Sequence, residues 1–280
     1  MAKLFTQVEA APLPFRVSLR SRVTVLGSCF ADEVGKRMSE GGFDVVVNPF
    51  GTLYNPASIA AAIGRLDSAR PFGPEDCVQL GAGSELVCSH SHHTSFARPT
   101  AGEFLSNANA ALEKAADHWK DTDTVLVTLG TAFVWRLAGS GEIVANCLKR
   151  PACEFTRGML SVEECRNLLE GIVARHPEKN FIFTVSPIRH LADGAHANTL
   201  SKATLQLATS GLCYFPACEI LLDELRDYRF YADDLVHPAK LAAEIVWERF
   251  LEAAVPSVEH ERIRLNRKEA KKSGHIPFRR

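Results

Sequence analysis

The chain has 280 residues, a formal net charge of −1, 46% hydrophobic and 23% charged side chains, the balance of an ordinary folded protein long enough to bury a sizeable core. Near-neutral charge argues against a general affinity for nucleic acid or acidic membranes, and no stretch is long and apolar enough to span a bilayer. The first residues lack the apolar run of an export signal. The eight cysteines have no C-x-x-C spacing, so reduced thiols in a cytoplasmic protein, with no metal and no cofactor, are the expectation.

In chain order, residues 1–20 hold Pro12 and Pro14 without a clear period and read as an extended lead-in. A buried strand at 23–26 runs into Gly27, and a helix follows over 31–39 with Val34 and Met38 on one face, stopped by Gly41 and Gly42. Residues 43–47 form a second strand, and a loop through Gly51 leads to Pro56 as the first residue of a helix over 57–66. From about 68 to 102 the pattern is irregular, with His90, His92 and His93, and reads as an inserted segment. A helix after Glu103, a third strand at 124–129 ending at Gly130 and Thr131, and a hairpin around Gly139 and Gly141 come next.

Ser161 and Glu164 form a capping box opening another helix. Residues 181–185 are a fourth strand, 197–209 a helix, and 212–215 a short fifth strand. Residues 223–234 look loop-like after a brief helix, and Pro238 opens a last helix with Ala242, Ile245, Val246 and Phe250 inward. Strands alternating with helices predict a parallel sheet with right-handed crossovers. The fold class expected is α/β: a three-layer α/β/α domain over 21–255 with a mainly parallel five-stranded sheet, followed by a tail at 256–280. In that tail, residues 262–280 carry eight Lys or Arg against one acid, Glu269, as a solvated end does.

Two stretches carry chemistry. Gly27 relieves the steric cost of a sharp strand-to-helix turn, so Ser28 can be a nucleophile at the sheet's carboxyl edge or simply the helix cap. Cys29, at the helix start, is the alternative nucleophile, and only one of the two can face a base. Asp234 and His237 have the D-x-x-H spacing that lets a carboxylate orient an imidazole as general base. In a singly wound sheet both stretches reach one edge.

The run Leu26-Gly27-Ser28-Cys29-Phe30-Ala31 is the signature of the GSCFA family, which belongs to the SGNH (GDSL-like) hydrolase superfamily, and the chain resembles that family over most of its length. Further matches are Asn48-Pro49-Phe50-Gly51-Thr52-Leu53-Tyr54-Asn55-Pro56, Thr128-Leu129-Gly130-Thr131, Ser186-Pro187-Ile188-Arg189-His190 and Asp233-Asp234-Leu235-Val236-His237-Pro238. The resemblance implies a flavodoxin-like fold and acyl-ester chemistry, with Ser28 as nucleophile, His237 as base and Asp234 orienting it. It implies backbone N–H groups of Ser28 and Gly51 as oxyanion donors. Two departures stand out. The superfamily's first block reads Gly-Asp-Ser, whereas here Gly27 directly precedes Ser28. Its third block supplies Gly-x-Asn, whereas here Gly130 is followed by Thr131 and Ala132, so Thr131 is the expected replacement donor.

Asn48, His93, Arg189 and His190 are candidate substrate contacts, Arg189 for a carboxylate or phosphate. The expected activity is that of a serine esterase or deacylase on a small-molecule or carbohydrate acyl ester. An acyltransferase on the same residues and a non-catalytic binding module of this fold are the competing readings.

Overall fold

The structure, a computed structural model, describes residues 6–273. Its centre is a four-stranded sheet in the order β2-β1-β5-β9, formed by β1 (Arg22–Gly27), β2 (Asp44–Val47), β5 (Thr124–Leu129) and β9 (Asn180–Val185). Every pairing in it is parallel: Val23 lies opposite Val45 on one side and Thr124 on the other, and Thr124 opposite Asn180. Parallel strands covered on both faces need apolar side chains on both, and the alternation is visible in β5 and β9. Val125, Val127, Phe181 and Phe183 enter one core layer, and Leu126 and Ile182 the other.

The first layer packs under α2 (Pro56–Ser68), α3 (Ala101–Lys120), α4 (Val162–Arg175) and α5 (Ala195–Ala208). The second packs under α1 (Cys29–Gly41), α7 (Lys240–Ala254) and α8 (Ser257–Ser273). The expected three-layer α/β/α arrangement is therefore present. Helices α2 and α4 start as the sequence signals predict. Asn55 caps α2 by accepting from the Ser58 N–H with Pro56 at the first position, and Ser161 and Glu164 close a capping box on α4.

Three expectations need correction. The fifth strand shrinks to one parallel bridge, Phe183 to Tyr214, because Gly211 turns with φ 91° just before it and Pro216 has no N–H to extend the ladder. Residues Ser257–Ser273 form α8 rather than a solvated tail. Ile263 is fully buried against α1, and Arg267 forks onto Glu244 at 2.5 and 2.8 Å. Residues 274–280 of the expected tail, like 1–5 of the lead-in, lie outside the described residues. The rest of the lead-in is pinned, with the Leu13 and Val17 N–H groups donating to Ala253 O and Ala254 O. Helix α7 begins at Lys240, since Pro238 is bridged to Tyr231.

The inserted segment holds a minimal antiparallel pair, β3 (Val78–Gln79) with β4 (Val87–Cys88). The expected hairpin, β6 (Phe133–Leu137) with β7 (Ile143–Val144), gains a third strand, β8 (Phe155–Met159), along its other edge. Strand β8 is exposed over all but Phe155, so it carries no alternation that the sequence could show. Helix α6 (Ala217–Glu219) runs into a π-helical turn over Ile220–Leu225. No described helix is long and apolar enough to cross a membrane.

Candidate active site

The turn after β1 is built from hydrogen bonds that leave little freedom. Gly27 has φ 139°, and a Cβ there would collide with the Thr128 carbonyl oxygen, so only glycine fits. Asn48, itself left-handed with φ 41°, accepts the Gly27 N–H at 2.8 Å and donates its amide to Asp32 Oδ1 at 2.7 Å. Burial raises the Asp32 pKa, with the Asn48 hydrogen bond opposing that rise. Ser28 is the cap of α1: its Oγ accepts from the Phe30 N–H at 3.2 Å and lies 3.1 Å from Thr128 Oγ1. The residue is 0% exposed. The expected nucleophile is thus turned into the protein, occupied as a cap, and not presented to a cleft.

Cys29, the first residue of α1, is only half-buried. Its Sγ stands 3.4 Å from Tyr54 Oη, which is 3.2 Å from Thr52 Oγ1. Burial, reinforced by the Cys29 contact, pushes the Tyr54 phenol up to about 12. The Tyr54 ring meets His190 edge-on at 5.4 Å. Gly130, ending β5, makes room for both, since a Cβ there would stand 3.0 Å from His190 Nε2 and 3.1 Å from Tyr54 Cδ1.

His190 is drawn in further by its surroundings. Burial, then the charges of Lys202 and His237, depress its imidazole to about 4, and its Nε2 has no hydrogen-bond partner. Lys202 donates to Gly130 O and Ser186 O, both at 2.7 Å, locking the ends of β5 and β9 together, and burial lowers its ammonium pKa to about 8.

The loop before α7 carries the expected base. Asp234 Oδ1 accepts from the N–H groups of Val236 and His237, both at 2.9 Å, while Oδ2 meets His237 Nδ1 at 2.6 Å. Those backbone donors, with the imidazole, hold the Asp234 carboxyl down at about 2. A carboxylate at Nδ1 fixes the proton there and leaves Nε2 as the acceptor. Leu235, left-handed with φ 55°, makes the tight turn between the two. Arg189 anchors the loop to the end of β9, its N–H donating to Val236 O at 3.1 Å and its guanidinium to Leu235 O at 3.0 Å. The segments that follow β1, β5 and β9 therefore meet the Asp234 loop at one sheet edge, where ligands of parallel α/β sheets bind.

Other expected contacts are re-assigned by their bonding. The Ser28 N–H donates to Thr128 O at 3.1 Å and lies 3.0 Å from Thr128 Oγ1; the Gly51 N–H donates to Asn48 O at 2.8 Å. Thr131 gives its N–H to Tyr54 O at 2.9 Å, pairs its hydroxyl with Ser201 Oγ at 2.9 Å, and accepts the Phe133 N–H. All three expected oxyanion donors are satisfied internally. The Cys29 N–H, first of its helix, has no intrahelical acceptor. Asn48 braces the turn, and Arg189 braces the loop.

His93 stays at the edge, its Cβ against Gly51 and its charge felt by Asp32. His92 is fully buried beside Phe50, Phe72, Phe96 and Phe104, and burial depresses it to about 3. Among the described residues, no three His, Cys, Asp or Glu side chains are grouped to hold a metal ion.

The contact of Cys29 with Tyr54 and the buried Lys202 are the features sequence reasoning passed over. For Cys29 the signal was in the spacing. Set on its glycine, Gly-Asp-Ser places Cys29, not Ser28, opposite the serine. Lys202 lies within a helix and gives no such sign.

The profile of the GSCFA family matches residues 22–250. Among solved structures, the chain is similar to the psychrotrophic esterase EstA from Pseudoalteromonas sp., in a structure inhibited by monoethylphosphonate. That similarity has a TM-score of 0.38 at 12% identity, over 82% of this chain and 94% of the other. No curated protein matches the chain.

Proposed function

The chain belongs to the GSCFA family, and we propose that it is an acyl-ester hydrolase of the SGNH (GDSL-like) type, an esterase or deacylase acting on a small-molecule or carbohydrate ester. The nucleophile is supplied by the turn after β1. His237 Nε2 takes the nucleophile's proton, Asp234 holds the imidazole in that tautomer and stabilises the imidazolium, and the alcohol leaves with the proton. Water then releases the acyl group by the same relay in reverse.

The observation that carries the reading is the 2.6 Å contact of His237 Nδ1 with Asp234 Oδ2, on a carboxylate already pinned by two backbone N–H groups. A histidine in a purely structural or binding role has no need of a partner oriented so fully. Hydrolysis of 4-nitrophenyl acetate tests it. His237→Ala is expected to lose about 10²–10⁴ of the rate with an unchanged circular dichroism spectrum. A folded variant that keeps its rate removes His237 from the mechanism.

A further inference from the structure

Ser28 and Cys29 are adjacent, yet the fold treats them oppositely. Ser28 Oγ faces Thr128, accepts the Phe30 N–H and has no exposed surface. To attack a carbonyl it would have to abandon the cap of α1 and leave the interior. Cys29 is one residue further round the turn, half-buried, with Sγ on the side occupied by Tyr54. Tyr54 touches His190, whose chain neighbour Arg189 is hydrogen-bonded to Leu235 and Val236 in the loop that carries Asp234 and His237. The thiol is therefore the nucleophilic atom of the turn that lies on the side where the other site residues gather. It also sits at the start of a 13-residue helix, where the Cys29 N–H has no intrahelical acceptor and the helix dipole favours a developing anion.

We propose that Cys29 is the nucleophile, forming a thioester acyl-enzyme, and that Ser28 is the cap that aims it. The proposal rests on the acyl-transfer reading above. In the first step the Cys29 S–H proton passes to His237 Nε2 as Sγ bonds to the ester carbonyl carbon. The carbon–oxygen bond to the alcohol breaks, and the alcohol leaves with the proton from His237. In the second step His237 takes a proton from water as its oxygen attacks the thioester carbonyl. The carbon–sulfur bond breaks, the carboxylic acid departs and the proton returns to sulfur. Nothing is oxidised or reduced, and water is the sole co-reactant. The Cys29 N–H lies beside the forming oxyanion, and the Tyr54 hydroxyl positions the sulfur.

The other thiols do not compete. Burial raises the Cys77 thiol, pushes Cys88, Cys147, Cys213 and Cys218 up to about 11, and pushes Cys165 up to about 12. Cys153, the exposed one, can be replaced by serine in the tested protein.

The test mixes the full chain with 4-nitrophenyl acetate, quenches in acid, and maps the acetyl group by peptide fragmentation. The expected adduct is on Cys29, is cleaved by hydroxylamine at neutral pH as a thioester is, and is absent from Cys29→Ala. In Cys29→Ser any adduct at that position resists neutral hydroxylamine. Cys29→Ala is expected to lose about 10³-fold or more of the turnover. An acetyl group on Ser28 overturns this assignment while leaving the hydrolase reading standing. Turnover undiminished in Cys29→Ala overturns it whether or not an adduct accumulates. Absence of any His237-dependent turnover in the wild type defeats both readings.

Discussion

The turn after β1 has its polar groups enclosed: Gly27 is tied to Asn48, Asn48 to Asp32, and Ser28 to Thr128 and Phe30 at 0% exposure. The loop before α7 leaves the His237 and Asp234 side chains 44% and 49% exposed, and its order comes from a local turn plus two hydrogen bonds from Arg189. One region gains precision from burial, where each hydrogen bond is costly to lose. The other gains it from a carboxylate that carries three donors within three residues of sequence. Substitutions of the turn's enclosed residues, Gly27, Ser28 and Asn48, should therefore register first as lost stability, and substitutions in the loop as lost rate.

The largest effect expected on the loop side, short of removing the base, is in Asp234→Asn. The amide cannot hold the Nδ1 tautomer, so kcat should fall about tenfold to a thousandfold while the melting temperature barely moves. A large loss of melting temperature would mean that the loop, like the turn, is structural.

Acid should separate the regions differently. The Asp234 carboxyl at about 2 contributes stability that is present above its ordinary range and is lost only as pH falls through about 2. His190, depressed to about 4, and His92, to about 3, bind protons more readily unfolded than folded. Their contribution to stability is present above pH 6.5 and is lost as pH falls toward those values, at about 1.4 kcal/mol for each tenfold in proton affinity. Urea melts between pH 7 and 4 should therefore lose midpoint with acid, and His92→Phe should flatten the slope. A pH-independent midpoint would contradict the burial assigned to these rings.

In the turn, Asn48→Ala strands the buried Gly27 N–H and frees Asp32, for an expected loss of about 1–3 kcal/mol in urea unfolding. The smallest effect is at Thr131. Because its hydroxyl serves Ser201 and the Phe133 N–H, Thr131→Val should cost about 1 kcal/mol and leave kcat for 4-nitrophenyl acetate unchanged. A fall of the 10²-fold size seen when an oxyanion donor is removed would restore Thr131 to the reaction.

Much of the fold was legible because burial writes itself into sequence. The β-branched run before Gly27, the largely apolar runs at 124–129 and 181–185, and the capping box at Ser161 each encode their element locally. Strand β8 was not legible, since four of its five residues are exposed, nor was α8, whose mostly polar sequence is docked through Ile263 and Arg267. At the site, Asp234 and His237 could be found from spacing because their contact is local. The bonding of Thr131 and Asn48 could not, because their partners lie on other loops and helices. Which of Ser28 and Cys29 turns inward depends on Thr128, a hundred residues away.

The central claim is that the buried turn and the exposed loop act as one acyl-transfer site, and a double-mutant cycle tests it most directly. Steady-state rates on 4-nitrophenyl acetate would be measured for wild type, Cys29→Ala, His237→Ala and the double variant. Residues that work as a unit are strongly non-additive, so the double variant should be no slower than the slower single variant. Losses that multiply across the two substitutions would show that the regions act independently, and would contradict the account.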